Sequence, residues 1–212
     1  MEKPRGITYI IAAASGTGKT SLAKALTAEL AAELKNLTIS VSHTTRPIRN
    51  GEENGKNYFF IDRTEFEKMI KEDGFLEYAE VFNYYYGTSK DFVEEKLAAG
   101  IDIILDIDWQ GALQIKKEIK DSISIFLLPP SLQELQKRLL KRNRDPMTVV
   151  EHRMKMAGKE IAHCSEFDYI VMNENFDDAL DDLRAIIKAK RLQTKTQLIK
   201  YKKLLDELTK SV

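Results

Sequence analysis

The residues most able to do chemistry lie close to the amino terminus, in the run Ala13-Ala14-Ser15-Gly16-Thr17-Gly18-Lys19-Thr20. A loop that cradles phosphates follows the pattern G-x-x-x-x-G-K-[ST]. Gly18, Lys19 and Thr20 satisfy its second half, while Ala13 stands where the first glycine normally stands. An alanine is tolerated at that point if the backbone keeps a negative φ, and is not tolerated if φ must be positive. In such a loop the N–H groups from Ala13 to Ser21 and the N-terminus of the following helix converge on a polyphosphate. Lys19 would reach the β- and γ-phosphates, and the Thr20 hydroxyl would help to hold Mg²⁺.

A second constellation follows in Ser42-His43-Thr44-Thr45-Arg46-Pro47-Ile48-Arg49, where two guanidinium groups stand three residues apart on a polar segment. Arginine forks match phosphate oxygens in pairs, although two arginines on a polar segment can equally be solvated surface charge. Asp106 and Asp108 close an apolar run, facing the same side of a strand. There they can serve a metal–phosphate centre or cap the next helix, and the sequence does not separate their roles.

These residues need elements to position them. Residues 7–12 read as a buried strand, and leucines at 22, 26, 30 and 34 line one face of a helix over 20–35. Residues 37–41, 101–107, 123–128 and 169–172 read as further strands, the apolar 101–107 run as one covered on both faces. Ser131 and Glu134 form a capping-box pattern at the start of another helix. Residues 42–56 read as an irregular loop, Asp62 as a helix start, and residue 177 to the C-terminus as one long charged helix, a packing or self-association surface. The alternation predicts an α/β fold with a parallel sheet core flanked by helices. The rhythm breaks over 42–89, which reads as an inserted mixed α/β subdomain. The expected organisation is one domain: core 1–41, 90–137 and 159–212, insert 42–89, and a helical lid over 138–158.

The chain has 212 residues, equal numbers of basic and acidic side chains, one cysteine and three histidines. Zero formal charge provides no field toward nucleic acid or a membrane surface. A lone cysteine, Cys164, excludes an internal disulfide and fits a reducing compartment, and the histidines have no metal-ligand spacing. Lys3 and Arg5 before an apolar stretch imitate a signal peptide, but cleavage after Ala14 would destroy the phosphate loop. A cytoplasmic location is expected.

The block Ser42-x-Thr44-Thr45-Arg46-x-x-Arg49-x-Gly51-Glu52-x-x-Gly55-x-x-Tyr58, the segments Phe75-Leu76-Glu77-Tyr78 and Tyr86-Gly87-Thr88, and Leu105-Asp106-Ile107-Asp108-Trp109-Gln110-Gly111 resemble the guanylate kinase family. So do Phe126-Leu127-Leu128-Pro129-Pro130-Ser131 and Asp168-Tyr169-Ile170-Val171-Met172-Asn173, and the likeness covers about residues 7–190. The family usually has G-P-S-G where this chain has Ala13-Ala14-Ser15-Gly16, and its proline usually stands one residue beyond Pro47.

The resemblance implies transfer of a phosphoryl group from ATP to GMP (or dGMP), with Mg²⁺ as cofactor. Arg46, Arg49, Tyr58 and Tyr86 would hold the GMP phosphate, and Ser42, Glu77 and Thr88 would read the guanine edge, with Asp106 and Asp108 close by. Guanine N1–H and N2–H₂ are adjacent donors that one carboxylate accepts together, whereas adenine offers an acceptor at N1. Asp106 would approach Mg²⁺ through water. Arg138, Arg142 and Arg153 fall where the family keeps lid arginines that close on the triphosphate, and Asn173 falls where it contacts adenine. Lys19, Arg46, Arg142, Arg153 and Asp106 are the expected catalytic set. Two alternatives stay open: a kinase of the same fold with another phosphorylated acceptor, and a related peptide-binding domain without catalysis.

Overall fold

Apolar strands that alternate with helices fold as right-handed crossovers, which leave successive strands parallel. The structure is a computed structural model describing residues 4–34, 36–81, 83–141 and 147–210. The chain opens with β1 (Thr8–Ala13), α1 (Lys19–Leu34) and β2 (Leu37–Ile39). It then departs into β3 (His43–Thr44), β4 (Phe59–Phe60), α2 (Arg63–Lys71), β5 (Phe75–Val81) and β6 (Tyr84–Ser89). α3 (Lys90–Ala98) leads back to β7 (Asp102–Asp106), α4 (Trp109–Glu118) and β8 (Ile123–Leu128). α5 (Leu132–Lys141), α6 (Met147–Ile161), a 3-10 turn over Ala162–Glu166 and β9 (Tyr169–Met172) follow, and α7 (Phe176–Arg191), α8 (Thr194–Lys200) and α9 (Lys202–Thr209) end the chain.

The main sheet runs β2-β7-β1-β8-β9, and every pairing is parallel. Alternation along β1 divides its side chains between two cores. Tyr9 and Ile11 pack with Leu22, Leu26 and Leu30 of α1 and with Leu180 and Leu183 of α7. Ile10 and Ala12 pack on the other face with Val93 and Leu97 of α3 and Ala112 and Ile115 of α4. Each of these leucines contributes about 1.5–3 kcal/mol by leaving water. Because β1 lies between β7 and β8, the C-terminal ends of three strands open together where the phosphate loop begins. Ligands of parallel α/β sheets bind in such a crevice.

Residues 42–89 form a second sheet, β4-β3-β6-β5, in which β3 and β4 are parallel and the other pairings antiparallel. Its core is aromatic: the Phe66 ring of α2 stacks on Phe75 at 4.4 Å and on Tyr85 at 5.2 Å. Asp62 caps α2 by accepting from Glu65 N, and Ser131 accepts from Glu134 N at the start of α5. Among the described residues no helix is long and apolar enough to cross a membrane.

Two expectations are corrected, and one unassigned segment is filled. The segment after residue 177 is three helices. Gln197 Nε2 donates to the Arg191 carbonyl at the end of α7 and so satisfies an acceptor that a continuing helix would have used. The buried face of α7 ends at Ile187, leaving Leu192 exposed, so no core favours continuation. Residues 109–118, unassigned from sequence, are the helix α4, in which Gly111 disguises the helical pattern. The 42–56 loop contains β3, whose two polar residues give no period to read.

At the opposite end of the sheet from the crevice, the buried Asp102 carboxylate accepts from Ile7 N at 3.0 Å and from Arg191 Nε at 2.8 Å. Burial nevertheless holds its pKa above the usual carboxylate value, against the pull of Ile7 N–H and Arg191. Removing one partner of a buried pair leaves the other uncompensated. Asp102→Ala is expected to lose about 3 kcal/mol in urea unfolding, and a loss below about 1 kcal/mol would show that the pair is not structural.

Candidate active site

The phosphate loop joins β1 to α1. Ala13 is still a strand residue, paired with Leu127, and its φ is not positive. The methyl group there costs no strain. Gly16 and Gly18 do take positive φ, at 95° and 104°. A Cβ on Gly18 would lie 2.7 Å from Asn173 Nδ2, so the position excludes a side chain twice over. Asn173 is buried and donates from Nδ2 to Thr17 O at 2.6 Å. The side chain expected at adenine therefore braces the back of the loop.

Lys19 opens α1 and points to the C-terminal end of β7. Its Nζ donates to Ile107 O at 2.7 Å and forms an ion pair with Asp106. Register explains the meeting: Ile11 pairs with Asp106, so the loop leaving β1 starts beside the carboxylate ending β7. Asp108 has a different task. It caps α4, its Oδ1 accepting from Gly111 N at 2.8 Å. The two aspartates are thus separated: one holds the phosphate-loop lysine, the other starts a helix. Thr20 and Ser21 stand exposed in the first turn of α1.

Helices α5 and α6 pack against the loop. Ala14 packs with Leu135, Leu139, Val150 and Ala157. Arg138 Nη1 donates to Thr17 O at 3.4 Å, while its Nε donates to Glu134 at 3.2 Å. Arg153 is half-buried on α6. Arg142 lies outside the described residues. Glu160, at the last turn of α6, accepts from Ser15 N at 3.3 Å and has no counterpart among the residues expected from sequence. Its carboxyl pKa is raised by burial and by Asp108, against the pull of Ser15 N–H, Lys19 and Arg153.

Across the crevice the second sheet presents Arg46 and Glu77. Arg46 is only 6% exposed, which excludes the solvated reading. Nη2 donates to both Glu52 oxygens at 2.8 and 3.0 Å, and Nη1 donates to Pro47 O at 2.7 Å. The guanidinium carbon lies 5.5 Å from the Tyr58 ring centre and 5.6 Å from that of Phe60. Burial alone would raise the Glu52 carboxyl, but Arg46 and the Arg49 N–H outweigh it and lower its pKa. Tyr58 and Tyr86 meet edge to face at 5.8 Å beside Arg46, and burial, with the Asp106 charge, pushes the Tyr58 hydroxyl up to about 12. Arg49 is exposed, its N–H donating to Glu52 at 2.9 Å. Glu52 was legible only as part of the motif; it holds the Arg46 fork and accepts the Arg49 backbone N–H.

Glu77 is 4% exposed. Thr88, its register partner on β6, donates from Oγ1 to Glu77 Oε1 at 2.6 Å. A register irregularity between Phe75 and Glu77 turns the carboxylate toward α4, as bulges near sites re-aim side chains. There the first turn passes so closely that a Cβ on Gly111 would lie 2.9 Å from Glu77 Cδ. Gln114 of α4 holds Tyr78 by both backbone groups, accepting from N at 3.3 Å and donating to O at 3.2 Å. Burial lifts the Glu77 carboxyl to about 7, with Asp108 adding to the rise and Thr88 and Lys19 opposing it. Ser42 is buried one residue before β3. The structure thus brings one lysine, one arginine and two tyrosines to one crevice, with a buried carboxylate whose charge is finely balanced.

The guanylate kinase family model matches residues 5–190. The guanylate kinase of Coxiella burnetii is 51% identical over 200 residues, covering 94% of this chain and 95% of that protein. That of Buchnera aphidicola subsp. Schizaphis graminum is 51% identical over 207 residues, covering 98% and 99%. The crystal structure of guanylate kinase from Anaplasma phagocytophilum superposes with a TM-score of 0.74 at 33% identity, covering 91% of this chain and 89% of that one. With the family model spanning most of its length, and relatives this similar end to end, the chain belongs to the guanylate kinase family.

Proposed function

We propose that the crevice performs the reaction ATP + GMP to ADP + GDP through the residues described above. The observation that carries this reading is the pairing, in one crevice, of a lysine-bearing phosphate loop with a buried Arg46 and a buried Glu77. An anion-binding loop alone fits many nucleotide hydrolases. A second phosphate site facing it, with a carboxylate suited to guanine, fits transfer between two nucleotides.

Arg46, with Tyr58, Tyr86 and the exposed Arg49, holds the GMP phosphate. Glu52 keeps the Arg46 fork fixed, so little side-chain freedom is lost on binding. Glu77 accepts from guanine N1–H and N2–H₂, with Thr88 and Ser42 beside it. A GMP phosphate oxygen then attacks the γ-phosphorus in line: one O–P bond forms, the bridge to the β-phosphate breaks, and ADP leaves. Lys19, held by Asp106 and Ile107, needs only a small reorientation to meet the γ-phosphate, and Arg138, Arg142 and Arg153 spread its charge from the lid. No protein nucleophile is required.

The Thr20 hydroxyl of α1 and the Asp106 carboxylate at the end of β7 are hard oxygen donors beside Lys19, a set suited to Mg²⁺, which keeps most of its own waters. When bound with ATP the ion neutralises charge on the phosphates. The 42–89 segment is the GMP-binding subdomain, and α5–α6 the lid region.

An ADP-release assay with ATP and each of GMP, AMP, CMP and UMP tests the reading. Turnover with GMP alone is expected; equal turnover with AMP would remove Glu77 from base recognition. Lys19→Ala should lower single-turnover rates at least about 10²-fold, and a variant of near-normal rate would defeat the mechanism.

Glu77 adds a pH signature. Its folded pKa, near 7, lies above its ordinary value of 4.5. Between those values the folded protein binds the extra proton, so this group's contribution to stability is full at low pH and declines as pH rises through that window. Guanine needs the ionised form, so kcat/KM for GMP should rise through about pH 7. Glu77→Gln should abolish that rise and lower kcat/KM for GMP about 10²-fold, the scale of losing a charged hydrogen bond. A variant that keeps the wild-type profile would assign the titration elsewhere.

A further inference from the structure

The Ser15 N–H belongs to the loop that receives phosphate, yet it donates to the carboxylate of Glu160, 3.3 Å away on α6. Concave runs of backbone N–H groups attract anions whatever their source. Ser15 lies at the β1 end of the loop, away from the helix terminus at Lys19 and Thr20. Lys19 and Arg153 both act on the Glu160 charge, and Asp108 opposes it. The carboxylate therefore lies within the field of the lysine that reaches the β- and γ-phosphates. Helix α6 carries Arg153 as well, and its Ala157 packs against Ala14 of the loop.

We propose that Glu160 is a positioning residue that competes with the γ-phosphate of the nucleoside triphosphate for the Ser15 end of the loop, so that triphosphate binding must displace it and shift α6. This rests on the assignment of the loop to ATP. Two anions cannot share one N–H group at the end of a low-dielectric crevice without strong repulsion. A diphosphate has no γ-phosphate and leaves Glu160 in place. The carboxylate thereby sets a penalty on ATP that ADP escapes, and it couples that penalty to the helix bearing Arg153. Nothing in the sequence pattern singles Glu160 out; only the fold brings it to the loop.

Calorimetric titration of the whole protein with β,γ-methylene ATP and with ADP tests the proposal. Glu160→Gln keeps the shape and an acceptor for Ser15 N–H but removes the charge. It is expected to bind the triphosphate analogue roughly tenfold tighter, the scale of one relieved charge repulsion of about 1.4 kcal/mol, with ADP changed less than about twofold. In steady state the KM for ATP should fall while kcat does not rise. Melting temperature reports whether the variant folds, and Glu160→Ala supplies the same charge removal should the glutamine variant not fold. Unchanged binding of both nucleotides, or equal weakening of both, would overturn the proposal and make Glu160 a structural prop of the loop. Wild-type protein that binds neither nucleotide would instead overturn the assignment of the loop itself, and this proposal with it.

Discussion

The structure depends on holding one ammonium group in a fixed place before any phosphate arrives. Lys19 begins a helix, where its positive charge opposes the helix dipole, and its charge is half-withdrawn from water. Both costs are offset by Asp106 and the Ile107 carbonyl at the end of β7. That arrangement requires β7 to be the neighbour of β1, although about ninety residues separate them in the chain. The strand order, the departure of residues 42–89 from the sheet and the return through α3 all serve this adjacency. A lysine on a flexible surface loop would be no substitute, because its entropy and hydration would be lost anew at each turnover.

The same economy of charge explains why the acceptor side looks so different. Arg46 is buried, and a buried guanidinium without a partner would be costly, so Glu52 accompanies it. Glu77 is buried with Thr88 as its hydrogen-bond donor, and burial makes its ionisation correspondingly expensive. In the proposed reaction guanine supplies further donors. On that reading substrate binding and carboxylate ionisation are one event, and the donors of the correct base offset a cost that adenine cannot meet. The close pass of Gly111 brings the first turn of α4 against the carboxylate at a distance no side chain would permit.

Much of this was legible in the sequence where local pattern and chemistry coincide. The loop Ala13–Thr20 sits between an isoleucine-rich strand and a leucine-faced helix, and both formed as read because period and caps agree with the tertiary packing. β8 and β9 have the bounds that their apolar runs predict. Asp108 could not be told from Asp106, because both could cap the next helix or serve the phosphate centre, and only the fold gives Asp108 the Gly111 N–H. Glu52 and Glu160 stayed invisible as individuals for a common reason. A glutamate on a polar loop or on a charged helix face has no distinguishing neighbours in sequence, and its partners come from elements folded beside it. The C-terminal helices illustrate the converse: charge and helix propensity continue through residue 192, but the buried face ends at Ile187 and the chain turns.

The acidic side chains around Lys19 form a graded set, and the grading has a mechanistic meaning. Asp106 pairs directly with the ammonium and fixes it. Asp108 is turned away to cap α4, so its charge reaches the centre only at a distance, raising both Glu77 and Glu160. Those two stand on different elements, one on β5 of the second sheet and one on α6, and in each burial weakens the hold on the negative charge. On the two proposals above, an arriving guanine stabilises the first anion and an arriving γ-phosphate opposes the second. The two nucleotides thus change the local field in opposite senses at sites that share a lysine. On those two proposals, binding of one nucleotide alters the field that the other encounters.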